Sequence, residues 1–212
     1  MTATVIGAGL AGCEAAWALA ERGVGVVLCE MKPVKFSPAH HQEGFAELVC
    51  SNSLKAARVE SAAGLLKAEM RLLGSLLLGC ADVCAVPAGG ALAVDRDEFS
   101  RLVTKKVKSH PNITVRIGEL TELPDGPVIV ATGPLTSEAL SEAIARRTGA
   151  ERLSFYDAAA PIVEFASLDM SKAFFAARYG RGEDDYINCP MNREQYEAFH
   201  DALQSAERAE LH

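Results

Sequence analysis

The sequence predicts an α/β fold built on a parallel sheet, and its amino-terminal stretch carries the main observations. Residues 2–6 are rich in β-branched side chains, as expected of a buried parallel strand. Gly7, Gly9 and Gly12 then form a Gly-x-Gly-x-x-Gly motif where this strand should turn into a helix. A second apolar strand ends at Glu30. This order is typical of a Rossmann-like dinucleotide-binding unit.

Each glycine of the motif has its own predicted role. Gly7 makes the tight turn, Gly9 lets a pyrophosphate approach the backbone, and Gly12 lets the helix pack closely on the strand. The helix predicted over residues 10–22 would offer free N–H groups to a diphosphate. Glu30 lies 18 residues after Gly12, near the ~20 expected for the acid that binds a ribose hydroxyl. The motif predicts a bound dinucleotide, either FAD or a nicotinamide; the alternative is a glycine-rich turn without a ligand.

Composition bounds the class of protein. The 212 residues are 49% hydrophobic and 23% charged, as in a globular protein. The chain begins with a core strand, and no apolar run reaches the ~18 residues of a membrane span, so we expect no signal peptide, no membrane segment and a cytoplasmic location. Six cysteines without CxxC or metal-site spacing predict reduced thiols and no metal. The net charge of −7 argues against broad, nonspecific affinity for nucleic acid, although a local basic patch stays possible.

The segment Cys50-Ser51-Asn52-Ser53 has two interpretations. It follows a proline-containing loop at the carboxyl end of the second strand, the edge where ligands bind in open α/β sheets. Its serine and asparagine residues would cap a following helix, whose N-terminus would favour the thiolate of Cys50 and make it a better nucleophile. The alternative is a buried structural cysteine ahead of a capped helix. The chemistry of the segment alone favours neither interpretation over the other.

Further helices and strands alternate downstream. A helix rich in leucine should bury one broad side and expose Lys67, and Asp95 should cap a later helix. The predicted elements are helices over residues 64–79, 96–109, 137–148 and 193–211, and strands over residues 112–117, 119–123 and 128–133, with a loop and strand over 155–163.

The strand that ends in Ala131-Thr132-Gly133 indicates which of the two candidate cofactors, FAD or a nicotinamide, the motif binds. This ending is characteristic of two-dinucleotide-binding-domain flavoproteins, in which the threonine and glycine let the chain pass close to the flavin's phosphate and ribose. Nicotinamide dehydrogenases normally lack it, so FAD is the predicted cofactor. After this strand the sequence turns to a polar, amphipathic helix and then becomes richer in aromatic residues. We therefore predict an FAD-binding domain over residues 1–134 and the start of an inserted α+β domain over residues 135–212.

The chain carries eight specific motifs in order, at residues 6–12, 38–40, 45–54, 64–71, 86–96, 131–137, 155–158 and 188–191. Together these motifs resemble those of one enzyme family, the TrmFO family of folate- and FAD-dependent tRNA (uracil-5-)-methyltransferases. The related tRNA-modifying GidA proteins share the first glycine motif but have a different cysteine segment.

The resemblance implies a reductive methylation at C5 of a T-loop uridine in tRNA. The family takes the one-carbon unit from 5,10-methylenetetrahydrofolate, with reduced FAD as electron donor and NAD(P)H to re-reduce the flavin. Cys50 matches the one of two functional family cysteines that acts close to the flavin, and Cys189 is expected to be structural. The implied cofactor-binding residues are Gly7, Ala8, Gly9, Leu10, Ala11, Gly12, Glu30, Met31, Lys32, His40, Asn52, Ser53, Arg96, Thr132 and Gly133.

Other functions stay open at this stage. Family members continue well past His212 and carry their second functional cysteine there, which implies that this chain is an amino-terminal half. Such a half could lack activity of its own. The same chemistry on a ribosomal RNA uridine, or oxidation of a small molecule by FAD, are the remaining alternatives.

Overall fold

The computed structural model describes residues 1–149, 163–177 and 183–207. In chain order the elements are β1 (Thr2–Ile6), α1 (Leu10–Ala20), β2 (Gly25–Glu30), β3 (Ser53–Ala56), α2 (Ala62–Leu72), α3 (Leu76–Val83), β4 (Ala85–Val86), β5 (Ala91–Val94), α4 (Arg96–Ser109), β6 (Ile113–Ile117), β7 (Val128–Val130), α5 (Glu138–Thr148), β8 (Phe174–Ala176), β9 (Tyr186–Asn188) and α6 (Arg193–Ser205). None of the helices in the described ranges is long and apolar enough to cross a membrane.

The chain divides into two compact units. The domain boundary predicted after residue 134 stays a prediction, and the compact units divide at a later point. The first unit comprises Met1–Val86 and Ala91–Ala160, and the second comprises Pro87–Gly90 and Pro161–His212.

The first unit is a Rossmann-like α/β structure. Its four-stranded parallel sheet has the order β6-β2-β1-β7. Because the strands are parallel, Ile6, Glu30, Ile117 and Val130 end at the same edge. The core includes Val5 and Leu28 from the sheet, together with buried side chains of α1, α3 and α4. This arrangement confirms the predicted fold class.

The described residues also form two smaller sheets. An antiparallel sheet of order β3-β5-β4 lies within the first unit. In the second unit, β8 and β9 form an antiparallel hairpin. Asp185 accepts a hydrogen bond from the Gly89 N–H at 2.7 Å, and the Tyr186 hydroxyl donates to the Ala88 carbonyl at 2.9 Å. These bonds hold the Pro87–Gly90 loop within the second unit.

Local signals located several elements correctly. β1 spans the predicted residues, and α4 begins and ends where the sequence predicts. Asp95 caps α4, since its Oδ1 accepts the Glu98 N–H at 2.9 Å. Residues 119–123, which the structure describes, form no strand, so that prediction was wrong. The predicted elements over 155–162 and the last residues of the predicted final helix, 208–211, lie outside the described residues.

The helix predicted over residues 64–79 is two helices. Gly74 adopts a φ of +78° and ends α2, and Ser75 caps α3 through the Leu78 N–H. Lys67 is buried, and its Nζ donates to the carbonyls of Ala56 and Ala63 at 3.1 Å each. The predicted outward position of Lys67 was therefore wrong. Part of the predicted apolar side is exposed instead, as Leu72 is 89% accessible.

The segment after Cys50 continues as a strand rather than a helix. The Asn52 carbonyl accepts the Val94 N–H at 3.0 Å, and the Nδ2 of the Asn52 side chain donates to the Val94 carbonyl at 3.1 Å. These two bonds attach the segment to β5. The next helix, α2, begins at Ala62 and is capped by Ser61. The predicted helix N-terminus beside Cys50 was thus wrong, because Asn52 pairs with Val94 while Ser51 and Ser53 accept the N–H groups of Ser53 and Lys55.

Candidate functional site

A cavity of about 310 Å³ lies at the carboxyl edge of the parallel sheet. Its walls come from the loop after β1, the end of β2 and the loop that follows, the segment after β6, and the residues after β7. The sequence-predicted site residues that line it are Gly7, Ala8, Gly9, Leu10, Ala11, Glu30, Met31, Lys32, His40, Cys50, Thr132 and Gly133. Most of the predicted site is therefore brought to one place.

The three glycines of the motif have different surroundings. Gly7 has a φ of +96°, and a Cβ there would lie 2.8 Å from the Ala131 carbonyl oxygen. A Cβ at Gly12 would lie 1.8 Å from the Gly7 carbonyl oxygen. A Cβ at Gly9 would meet no described atom within 4 Å. Packing within the protein requires Gly7 and Gly12, whereas Gly9 leaves space for a ligand against the backbone.

The N-terminus of α1 faces this space. Gly9 is its N-cap residue and has no side chain to accept the N–H groups of the first turn. The first turn of α1 contains no acidic residue. Unsatisfied N–H groups and the positive end of the helix dipole favour a phosphate. The residues present therefore fit the diphosphate of a dinucleotide.

Glu30 is buried at the end of β2 and joins two parts of the cavity wall. One carboxylate oxygen accepts the Ala8 N–H at 2.7 Å, and the other accepts the Lys32 N–H at 2.9 Å. The acid that the sequence assigns to a ribose hydroxyl thus holds the glycine loop in this structure. Its contact with a ribose stays a prediction.

Lys32 lies in a buried ion pair. Its Nζ donates to Glu47 Oε2 at 3.0 Å and to the Gly44 carbonyl at 2.8 Å. Glu47 Oε1 accepts the N–H groups of His41 and Gln42 at 2.8 and 3.2 Å. Burial acts to raise the pKa of Glu47, but the hydrogen bonds from the His41 N–H and from Lys32 outweigh it and hold the pKa below its usual range. Glu47 is therefore negatively charged and forms an ion pair with the Lys32 ammonium.

His40 contributes an imidazole ring to the cavity. Its Nδ1 lies 2.6 Å from Ser37 Oγ. Burial, and then the nearby charge of Lys32, lower the pKa of His40. Both effects favour the uncharged form of the ring.

Cys50 is exposed and lines the cavity. The interpretation of Cys50 as a buried structural cysteine was therefore wrong. Cys13 and Cys29 are buried as expected, and burial raises the pKa of Cys13 to about 12. Cys189 is also exposed, and it belongs to the second compact unit.

Four predicted residues are not among those that line the cavity. Gly12 packs against the Gly7 backbone, and the Asn52 side chain is bound to Val94. Ser53 Oγ accepts the Lys55 N–H at 3.2 Å. Arg96 is the first residue of α4. Their assignment to the cofactor stays a prediction.

Sequence reasoning missed Glu47 and the hydroxyl of Thr136. Glu47 lies within the motif over residues 45–54, so the sequence drew attention to its position. Its pairing with Lys32 is a tertiary contact that the sequence does not show. Thr136 Oγ1 lies 2.6 Å from Thr132 Oγ1 and donates to the Gly133 carbonyl at 2.8 Å. This local turn fixes the residues after β7 at the cavity wall.

Comparison with known proteins extends these observations. A family model described as glucose inhibited division protein A matches residues 2–212. The chain is 64% identical over 208 residues to methylenetetrahydrofolate--tRNA-(uracil-5-)-methyltransferase TrmFO of Acetivibrio thermocellus, covering 98% of this chain and 48% of that protein. It is 60% identical over 210 residues to the TrmFO of Bacillus subtilis, covering 99% and 48%. The chain spans about half the length of the curated relatives it matches.

Proposed function

This chain belongs to the glucose inhibited division protein A family, and we propose that it forms the FAD-binding, Cys50-bearing half of a folate-dependent tRNA (uracil-5-)-methyltransferase. The reaction would place a methyl group on C5 of a T-loop uridine, with 5,10-methylenetetrahydrofolate as carbon donor and NAD(P)H as reductant. One observation carries the proposal: the exposed Cys50 thiol and the dinucleotide loop line the same cavity. The 61% and 64% identity to two relatives named as such methyltransferases supports it.

The cofactor site in this proposal uses the chain's own backbone. Gly9 and the first turn of α1 would bind the diphosphate through N–H groups, because Gly9 gives that turn no side-chain cap and a Cβ there would meet no described atom within 4 Å. Thr132 and Gly133 would contact the same cofactor from the end of β7. FAD, when bound, would supply the redox chemistry that converts a methylene group into a methyl group.

Cys50 and His40 would supply the protein's reactive groups. A thiolate is a strong nucleophile and a competent base near neutral pH. Cys50 reaches the cavity from an exposed position, so its thiol is accessible to substrate. Burial favours the uncharged form of the His40 ring in the same cavity, where it would act as a proton acceptor. A cytoplasmic location belongs to the same proposal, since tRNA and folate cofactors meet there.

The test uses the chain completed with the carboxyl-terminal half of the Acetivibrio thermocellus relative. We expect Cys50→Ala to retain FAD and to lose methyl transfer to an unmodified tRNA transcript. The matched variant Cys189→Ala removes the other exposed thiol and should keep transfer. Near-normal transfer by Cys50→Ala would remove the catalytic role, and transfer only to ribosomal RNA would redirect the substrate.

A further inference from the structure

The loop between β2 and Cys50 is held by a buried ion pair that the proposed chemistry does not use. Lys32 Nζ contacts Glu47 Oε2 at 3.0 Å, and the two side chains are 6% and 7% exposed. A buried pair of this kind adds little net stability, whereas removal of one partner leaves an unpaired buried charge. Its contribution therefore lies mainly in the geometry that it fixes.

The backbone between Gly44 and Glu47 is fixed from several sides. The Phe45 N–H donates to Thr104 Oγ1 at 2.8 Å, and the Ala46 N–H donates to the Ala8 carbonyl at 2.8 Å. Ala46 has a φ of +50°. A residue with a side chain keeps such a conformation only where the surrounding contacts enforce it. The structure thus holds this stretch in a strained conformation directly beside the glycine loop.

Polar contacts connect the glycine loop to Glu47, which precedes Cys50 in the chain. Glu30 accepts from Ala8 and from the backbone of Lys32, and Lys32 Nζ in turn binds Glu47. Glu47 lies three residues before Cys50, and both line the cavity. Replacement of the Lys32 side chain removes the bond to Glu47 but leaves both Glu30 bonds, which come from backbone N–H groups.

We propose that Lys32 and Glu47 are positioning residues that hold the Cys50 thiol against a cofactor bound on the glycine loop. This inference rests on the proposed function. It assigns Lys32 a different role from the cofactor contact that the sequence predicts, because the Lys32 ammonium already has two acceptors at 2.8 and 3.0 Å.

The same loop offers a matched control in Lys35. Its Nζ pairs with Glu119 at 2.7 Å, but the Lys35 side chain is 50% exposed. Exposed ion pairs of this kind contribute little. Loss of the Lys35 charge should therefore leave the Cys50 segment in place.

The test measures FAD affinity and Cys50 alkylation separately, in chains that carry Cys189→Ala so that Cys50 is the exposed thiol that remains. Alkylation by iodoacetamide is followed with and without saturating FAD. We expect Lys32→Met to bind FAD within about threefold of the parent, yet to lose most of the ~tenfold protection that FAD gives Cys50. Lys32→Arg should restore protection, and Lys35→Met should retain it.

The possible results are distinguishable. Full protection in Lys32→Met would overturn the positioning role. A loss of FAD affinity beyond ~tenfold with normal protection at saturation would also overturn it, since Lys32 would then be a cofactor ligand. If the parent neither binds FAD nor gains protection, the proposed function fails and the inference falls with it. If Lys32→Met does not fold, Lys32→Met/Glu47→Gln removes both charges, and the same loss of protection is expected.

Discussion

Replacement of Gly9 and Gly12 by alanine should separate a ligand-binding glycine from a packing glycine. In Gly12→Ala the new Cβ would lie 1.8 Å from the Gly7 carbonyl oxygen, and both are backbone-constrained. We expect a cost at or above the upper end of the ~1–3 kcal/mol typical of overpacking. At ~2–4 °C per kcal/mol for a chain of this size, a 3 kcal/mol cost lowers the Tm by ~6–12 °C.

Gly9→Ala should fold normally and bind FAD poorly. Its φ of −71° and ψ of −169° suit alanine, and the stabilisation of ~0.4–1 kcal/mol from a stiffer unfolded chain roughly offsets the poorer N-cap. A bound phosphate oxygen would meet the new Cβ, and an overpacking cost of ~1–3 kcal/mol corresponds to ~5–150-fold weaker binding.

Thermal unfolding and quenching of flavin fluorescence measure the two quantities in parallel. Parental FAD affinity in a folded Gly9→Ala variant would refute the placement of the diphosphate at this loop. A Tm for Gly12→Ala within ~2 °C of the parent would refute the packing argument.

Three further predictions concern stability. Asp95→Ala should cost ~1 kcal/mol because the α4 cap is lost, and a parental free energy of unfolding in denaturant would contradict the cap. The pKa of Glu47 is held low in the folded chain, so the unfolded chain binds a proton at this position first as pH falls. The stability that Glu47 contributes above the ordinary carboxyl pKa should therefore be lost on acidification. In urea titrations, Glu47→Gln should make the free energy of unfolding less dependent on pH. Leu72→Ser should change stability by less than ~0.5 kcal/mol, whereas Phe99→Ala should cost ~3–5 kcal/mol; equal losses in chemical denaturation would mean that the exposure of Leu72 is misassigned.

The sequence predicted features that depend on nearby residues. β1 needs only its β-branched run, and α4 begins where Asp95 can cap it. The glycine motif located the turn for the same reason, since its backbone demands are local. Glu30 was placed correctly at the end of β2, but its hydrogen bonds to Ala8 and Lys32 depend on how the loops fold back.

The errors arose where tertiary acceptors decided the outcome. Lys67 appeared to be a surface charge, yet the carbonyls of Ala56 and Ala63 accept its ammonium in a buried position. The leucine-rich run concealed a break at Gly74, whose positive φ ends α2. Asn52 pairs with Val94 in the sheet, so its side chain was not available as a helix cap.

The most direct test of the shared site is the rate of Cys50 alkylation in the Cys189→Ala chain, measured with and without saturating FAD. A bound ligand has ~70–90% of its surface covered by its pocket, and Cys50 lines this one, so FAD should cover the thiol and slow its modification by about tenfold. An unchanged alkylation rate at demonstrated FAD saturation would contradict the claim that the thiol and the dinucleotide loop form one site.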